Sequence, residues 1–178
     1  IDASEGLQVV NAKGMYVTPG LIDIHVHFFW GHDGDAYMNA PASLPADGFT
    51  FPAGVTTVVD AGSPGWKTFE LYKKQTIEKS QTRVLAFISM AGHGMLGTVH
   101  AQDTTDMNPV TTAFIMKEYP DIIVGIKAHH YQGNDFGPVD RAIATGRLTN
   151  KPIMVDFGSS TPKLSIEELF MKHFRPGD

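Results

Sequence analysis

The chain has 178 residues, of which 42% are hydrophobic and 19% charged, a balance typical of a globular protein with one sizeable core. Its net charge of −5 and the lack of a Lys/Arg cluster argue against nucleic acid or an anionic membrane as partner, so a small-molecule substrate is expected. No apolar run reaches the ~18 residues of a membrane span. Without cysteine, any bound metal needs nitrogen and oxygen ligands. A cytoplasmic location is expected, and a homo-oligomer is compatible with the composition.

Short apolar runs rich in β-branched residues alternate with helical patterns along most of the chain. The runs predict five strands, at residues 20–28, 55–62, 83–90, 122–128 and 152–158. The helical patterns predict four helices, around Trp66–Ser80, Thr111–Tyr119, Pro138–Thr145 and Ser165–Phe174. Repeated alternation of strand and helix is typical of an α/β fold with a parallel sheet covered by helices.

The two ends of the chain follow other patterns. The stretch LQVVNAKGMYV predicts two short strands around a turn at Asn11–Gly14. We interpret residues 1–17 as the tail of a small β-sandwich domain and residues 18–178 as a second domain. The final RPGD predicts a turn that leads into another strand.

Several predicted strands carry polar residues on one face, near their carboxyl ends. Because residues two apart in a strand share a face, Asp23, His25 and His27 should lie together on the first strand. The opposite face of that strand is apolar and comprises Ile22, Ile24, Val26 and Phe28, which we expect to pack beneath helices. By the same count, Lys127 and Asp156 lie opposite the apolar faces of their strands. In a closed parallel barrel this face is the interior, where active sites lie at the carboxyl ends.

These residue types favour metal chemistry. Two neutral imidazoles on one rigid strand are good ligands for zinc and similar ions. A buried Lys127 would lose its proton more readily, and its free amine could capture carbon dioxide as a carbamate that bridges two metals. The alternatives are a chance His-x-His pattern and a lysine that reaches the surface. Asp60 has the alternative of bonding backbone amides in a turn.

The run VTPGLIDIHVH resembles the signature of the amidohydrolase superfamily, which lies at the first strand of a metal-dependent (β/α)8 TIM barrel. GVTTVVDAG resembles the family's second strand and IVGIKA its fourth, where Lys127 matches a carbamylated lysine. GIKA, KPIMV and RPGD are similar to the deacetylase branch of the dihydroorotase-like amidohydrolases. The resemblance runs from about Val17 onward and implies about five βα units of the barrel, after the end of a β-sandwich.

The sequence departs from this branch in two ways. The branch's fifth strand ends in MVH, whereas this chain reads MVDFG, so that Asp156 stands in the place of a metal-binding histidine. The sixth-strand histidine and the catalytic, general-base aspartate of the eighth strand have no counterpart in the sequence. Five strands cannot close an eight-stranded barrel. We therefore expect the chain to be part of a longer enzyme.

The resemblance implies hydrolysis of an amide or ester by a metal-bridging hydroxide, with two zinc ions and a carbamate on Lys127 as cofactors. The implied metal ligands are His25, His27, Lys127 and Asp156. Several residues follow strands and could reach a substrate: Phe29, Trp30, His93, His129 and Tyr131. The alternative for His93, His129 and His130 is that they are solvated loop histidines. Deacetylation is the first reaction class, and opening of a cyclic amide, as in dihydroorotases or hydantoinases, is the second. The alternative from another class is a non-enzymatic binding or structural relative.

Overall fold

Five parallel strands form one sheet in the computed structural model, which describes residues 5–29, 45–95, 97–157 and 164–178. The strands are β1 (Leu21–Val26), β2 (Val55–Gly65), β3 (Arg83–Ser89), β4 (Ile123–His129) and β5 (Ile153–Asp156). They lie side by side in chain order, so each βα unit adds its strand next to the previous one. The sheet is a curled half-barrel, and all five predicted strands are confirmed within a few residues at their ends.

Six helices connect or follow the strands within the described ranges. They are α1 (Ala46–Thr50), α2 (Phe69–Tyr72), α3 (Thr98–Gln102), α4 (Pro109–Glu118), α5 (Gly137–Thr149) and α6 (Ile166–Glu168). One π-helical turn extends α2 through Lys73–Ile77, and another extends α6 through Leu169–His173. The four predicted helices are confirmed. The sequence analysis missed α1 and α3, which at five residues each are too short to show a helical period.

Local sequence explains where the longer helices begin and end. Before α4, the side chain of Asn108 accepts hydrogen bonds from the backbone N–H groups of Val110 and Thr111, and Pro109 occupies the first turn, where no N–H is needed. The end of α5 is marked by Asn150, whose left-handed φ of 54° stops the helix. These capping residues fix α4 and α5 against the outer face of the sheet.

The core lies between the sheet and the helices. Its fully buried members include Val58, Ala86, Ile88, Ile123 and Ile126 from the strands, and Phe69, Tyr72 and Ala142 from the helices. Burial of an aliphatic side chain of this size contributes roughly 1.5–3 kcal/mol relative to exposure. The sheet is therefore a rigid support for the residues at its carboxyl ends.

The expected packing of the apolar face of β1 is wrong for two of its residues. Ile22 and Ile24 are 64% and 62% exposed, whereas Phe28 is buried as predicted. Among the strands that the structure describes, β1 lies at the edge of the sheet and pairs with β2. Burial of an edge strand depends on what covers it, and alternation in the sequence does not encode that.

The regular alternation predicted for β1 is also interrupted. Asp23 lies opposite Val58 and Val26 opposite Asp60, so β1 has one more residue than β2 across this interval. The Asp23 carboxylate accepts a hydrogen bond of 3.0 Å from the backbone N–H of His25 within the irregular stretch. Such bulges re-aim side chains next to active sites. Asp23 therefore shapes the backbone that carries His25.

The end segments form turns. The N–H of Met15 bonds the Ala12 carbonyl at 2.9 Å, around Gly14 with a φ of 84°, which confirms the first turn. Residues 6–20 contain no strand, so the two short strands expected there do not form, and the β-sandwich stays a prediction. The RPGD turn is confirmed by the bond from the Asp178 N–H to the Arg175 carbonyl. No helix in the described ranges is long and apolar enough to cross a membrane.

Candidate active site

The candidate site lies at the carboxyl ends of β1, β2, β4 and β5. The rings of His25 and His27 lie edge to face at 75°, with centroids 5.4 Å apart. The pKa of His27 is lowered from 6.5 to about 4, first by burial and then by the neighbouring His25, Lys127 and His130, while Asp156 opposes the shift. All four groups therefore act on one imidazole, and the neutral ring that a metal requires is favoured.

Ser63 fixes the orientation of the His27 ring. Its Oγ lies 2.9 Å from His27 Nδ1, and the buried Asp60 carboxylate accepts hydrogen bonds from the Ser63 hydroxyl and backbone N–H. Because the hydroxyl has one proton and donates it to Asp60, its oxygen accepts a bond from the His27 Nδ1–H. The lone pair of His27 Nε2 is then left for a ligand. We refer to Asp60, Ser63 and His27 as the β2 relay.

Asp60 holds the ends of β1 and β2 together. It is fully buried and also accepts hydrogen bonds from the backbone N–H groups of Phe28, at 3.0 Å, and Gly62. Burial raises its pKa to about 6, although the donated hydrogen bonds oppose that rise. The alternative reading of Asp60 is thus confirmed in that its carboxylate binds backbone amides, although these lie at the end of β2 and after β1 rather than in a turn. Asp60 supports the site as a positioning residue.

Lys127 lies in the interior at the end of β4. Its side chain is 1% exposed, and its Nζ lies 3.4 Å from Met154 Sδ and 3.5 Å from Asp156 Oδ2, on the face predicted from alternation. Burial lowers the pKa of its amine from 10.5, while Asp156 and Asp60 partly oppose that shift. The lysine fits because Gly62 has a φ of 91° and no side chain: a Cβ there would lie 2.5 Å from the Lys127 Cβ.

Asp156 faces the amine of Lys127 on β4 and the imidazole of His130 in the loop that follows β4. In addition to Lys127 Nζ, its Oδ2 lies 3.5 Å from His130 Nε2. Its side chain is 33% exposed, so the carboxylate lies at the boundary between the interior and solvent. Of the predicted ligands, Lys127 and Asp156 thus come together with His130, and all three lie near enough to influence the pKa of His27, while His25 is exposed on the β1 side.

The predicted substrate-binding residues have different surroundings. His129 is 5% exposed and belongs to β4 rather than to a loop; its Nε2 lies 2.8 Å from Ser89 Oγ, and burial lowers its pKa to about 3. His93 stacks on His100, with centroids 4.6 Å apart, and its Nδ1 lies 3.4 Å from Asp106 Oδ2.

Tyr131 donates its hydroxyl proton to Asp135 at 2.9 Å. Phe29 is buried in the core, and Trp30 lies outside the described residues. Substrate roles for His93, His129 and Tyr131 stay predictions.

The donor set fits a metal in part. No three His, Asp or Glu side chains of the described ranges converge closely enough to hold a metal ion. Pairs of suitable donors are nevertheless present, with His25 beside His27 and His130 beside Asp156. A third donor would come from Lys127, whose Nζ lies 3.5 Å from Asp156 Oδ2, but only as its carbamate, because the ammonium form has no lone pair. The residues therefore fit metal ions on condition that Lys127 is modified.

Sequence reasoning missed Ser63, Ser89 and the geometry of His130. Ser63 lies where the pairing of β2 with β3 shifts, between Ala61 and Gly65, so its partner cannot be counted from the sequence. Ser89 is the residue that ends β3 in the run RVLAFIS, and a serine closing an apolar strand is the signal that could have pointed to it.

Comparisons with known proteins agree with the fold and with the general chemistry. The chain is 29% identical over 185 aligned positions to a deacetylase of Agrobacterium fabrum, covering 100% of this chain and 43% of the relative. It is also 29% identical to a deacetylase of Brucella anthropi, with 100% and 44% covered. The chain thus spans less than half the length of these relatives. No protein-family profile matches it.

Two solved structures share the fold. A crystal structure of an adenine deaminase matches with a TM-score of 0.72 and 27% identity, over 83% of this chain and 39% of that one. A crystal structure of a dihydroorotase matches with a TM-score of 0.75 and 27% identity, over 90% and 44%. The chain is therefore similar in sequence to deacetylases and in fold to enzymes that include a dihydroorotase, as the sequence resemblance predicted.

Proposed function

We propose that the protein to which this chain contributes is a metal-dependent hydrolase that cleaves a C–N bond of an acylated small molecule, as a deacetylase does. The observation that carries the proposal is Lys127, a buried amine with its Nζ 3.5 Å from the Asp156 carboxylate and near enough to His27 to lower the pKa of that imidazole. Burying a lysine to 1% exposure is costly unless the amine is paired or loses its proton, and buried ionisable groups of this kind cluster at functional sites. The similarity to deacetylases over the whole chain supports the same conclusion.

Lys127 would act as a carbamate. Burial shifts its equilibrium toward the neutral amine. The amine nitrogen then attacks the carbon of carbon dioxide, an N–C bond forms, and one N–H proton leaves to solvent. The product is an anion with two oxygen donors at the end of β4. The carbamate would lie beside Asp156, and the influence of Lys127 on the pKa of His27 supports a role for the same side chain toward the His27 side of the site.

The other residues of the site would hold the metal ions and orient the ligands. His25 and His27 would bind one zinc ion through imidazole nitrogens, with His27 Nε2 made available by the β2 relay. Asp156 would bind on the β5 side. When bound, a divalent metal supplies Lewis acidity, which polarises a carbonyl and lowers the pKa of water from ~15.7 toward ~7.

Replacing Lys127 tests the proposal. In the full-length protein, Lys127→Ala should abolish turnover of N-acetylated substrates, and a short carboxylic acid added to the medium should partly restore it, because the acid can occupy the space of the carbamate. Lys172→Ala is the control: this lysine is 68% exposed and pairs with Glu168 on the outer surface. A Lys127→Ala protein with wild-type turnover contradicts the proposal.

The second candidate function is opening of a cyclic amide. It is favoured by the similarity to the dihydroorotase structure, the higher of the two TM-scores. A panel that pairs N-acetyl amino acids with cyclic amides separates the two reactions. Turnover of the cyclic amides alone would replace deacetylation by the second candidate. Lack of turnover across the panel, with no metal bound, would favour the non-enzymatic alternative.

A further inference from the structure

We infer that His130 supplies the imidazole that the fifth strand lacks, so that His130 and Asp156 together form the ligand pair for a second metal. This inference rests on the proposed function, since it assumes a metal-dependent site. It assigns a metal-binding role to a residue in the loop after β4, which the sequence alone treats as one loop histidine among several.

The backbone of His130 is held in an unusual conformation. Its φ is 52°, in the left-handed region that residues with a side chain rarely adopt. Conformations of this kind cost of order 1–3 kcal/mol and persist where the surroundings hold them. Here the His130 N–H bonds the Asp156 carbonyl at 2.8 Å, and Gln102 donates from Nε2 to the His130 carbonyl at 2.9 Å. Both backbone groups of His130 are thus fixed, one to β5 and one to α3.

The strained backbone separates two successive histidines. The rings of His129 and His130 are perpendicular, with centroids 5.3 Å apart. His129 is turned to Ser89 on β3, whereas His130 is turned to Asp156 on β5. A regular continuation of β4 would have kept its alternating pattern, so the left-handed residue is what gives His130 its direction.

The distance between the His130 and Asp156 side chains fits two ligands of one metal ion better than it fits a direct hydrogen bond. His130 Nε2 and Asp156 Oδ2 are 3.5 Å apart, beyond the 2.7–3.2 Å range of N–H···O hydrogen bonds. Two ligands of a tetrahedral zinc ion with bonds of about 2.0–2.2 Å lie about 3.4 Å apart. By contrast, His173 Nδ1 and Asp140 Oδ1, a pair on the outer helices, are 2.6 Å apart. The His130–Asp156 pair is therefore spaced widely enough for both atoms to bind one metal ion, whereas the outer pair is not.

The pair lies where a second metal needs its ligands. Asp156 Oδ2 is also 3.5 Å from Lys127 Nζ, so a carbamate on Lys127 would be the neighbouring donor. His130 affects the pKa of His27, which places it at the same site. With Asp156 in place of a histidine, an imidazole from the adjacent loop restores one nitrogen ligand on this side.

Zinc titration of the full-length protein tests the inference. The variant is His130→Asn, because asparagine tolerates the left-handed conformation and removes the imidazole. Wild type should bind two zinc equivalents, whereas His130→Asn should keep one and bind the other at least tenfold more weakly. Zinc affinity is measured by competition with a chelator, and the ligand environment by the absorption of the cobalt-substituted protein. The double variant His130→Asn/Asp156→His should regain the second equivalent. His173→Gln, from the outer pair, is the control and should bind as wild type does.

A His130→Asn protein that binds the second zinc with wild-type affinity overturns the inference, and so does a wild type that binds only the zinc held by His25 and His27. The proposed function fails by a different result, turnover that does not change when zinc is removed. Thermal unfolding is measured for each variant to check that it is folded.

Discussion

Ser63→Ala removes the hydroxyl that orients His27, and its effect can be worked out from the β2 relay. Ser63 is 3% exposed and its Oγ lies 2.9 Å from His27 Nδ1. Without it, the Nδ1–H loses its acceptor and the ring is free to change tautomer or rotate. Asp60 keeps its backbone donors at Phe28 and Ser63, so the strand ends stay joined.

Loss of such an orienting partner typically weakens metal binding 10–100-fold. This corresponds to about 1.4–2.8 kcal/mol in binding free energy. The cost in folding free energy should be smaller, about 1 kcal/mol, because His27 is half-buried and water can bond its ring. Ser63→Ala should therefore reduce metal affinity by more than it reduces stability.

Zinc affinity is measured by competition with a chelator, and the free energy of unfolding by urea titration of the metal-free protein. Ser89→Ala is the matched control: it deletes a buried hydroxyl that also bonds a histidine, at 2.8 Å, but that histidine is His129. The control should lose stability and keep zinc affinity. Equal zinc affinities for Ser63→Ala and wild type, or equal losses in both serine variants, would refute the reasoning about the β2 relay.

Three further predictions concern stability. Gly62→Ala should lower the free energy of unfolding by about 2 kcal/mol or more, because alanine is strained at this positive φ and its Cβ would clash with Lys127. Gly54→Ala, also at positive φ but with open space around it, should cost only the backbone strain. Equal losses of stability in the two variants, measured by urea titration, would contradict this. The carboxyl of Asp178 is buried, which raises its pKa, but hydrogen bonds from Arg175 outweigh burial and hold the pKa below 3.8. Its stabilisation is therefore fully present above pH 3.8 and lost as the pH falls through the folded pKa. Asp178→Asn should destabilise the protein at pH 7 and progressively less as the pH falls below 3.8; a difference in melting temperature that is independent of pH would be the contrary result. Tyr72→Phe should leave the free energy of unfolding unchanged or raise it by about 1 kcal/mol, because the buried hydroxyl has no hydrogen-bond partner among the described residues. A clear drop in melting temperature would disprove this prediction.

The sequence predicted the elements of the sheet and most of the face that carries the site. Strands rich in β-branched residues alternate with helices, and this alone gives parallel neighbours whose carboxyl ends meet. The meeting of Lys127, Asp156 and Met154 follows from alternation on β4 and β5, which pair without a register shift. Where the strands are regular, counting residues was sufficient.

The remaining features depend on irregular backbone and on tertiary contacts. The bulge in β1 gives Asp23 its backbone bond to His25, and the shift in β2 places Ser63 at His27. The direction of His130 depends on a single positive φ. Exposure of Ile22 was missed because it depends on which elements cover an edge strand. None of these features has a period that a sequence could show.

The most direct test of the account is native mass spectrometry of the full-length protein, purified in the presence of bicarbonate and zinc. The account predicts bound metal together with the mass of one carbamate, and loss of both the carbamate and metal in Lys127→Ala. A folded wild type with neither metal nor carbamate, and a mass equal to that of its unmodified chain, would contradict the central claim that Lys127 is the modified ligand of a hydrolytic metal site.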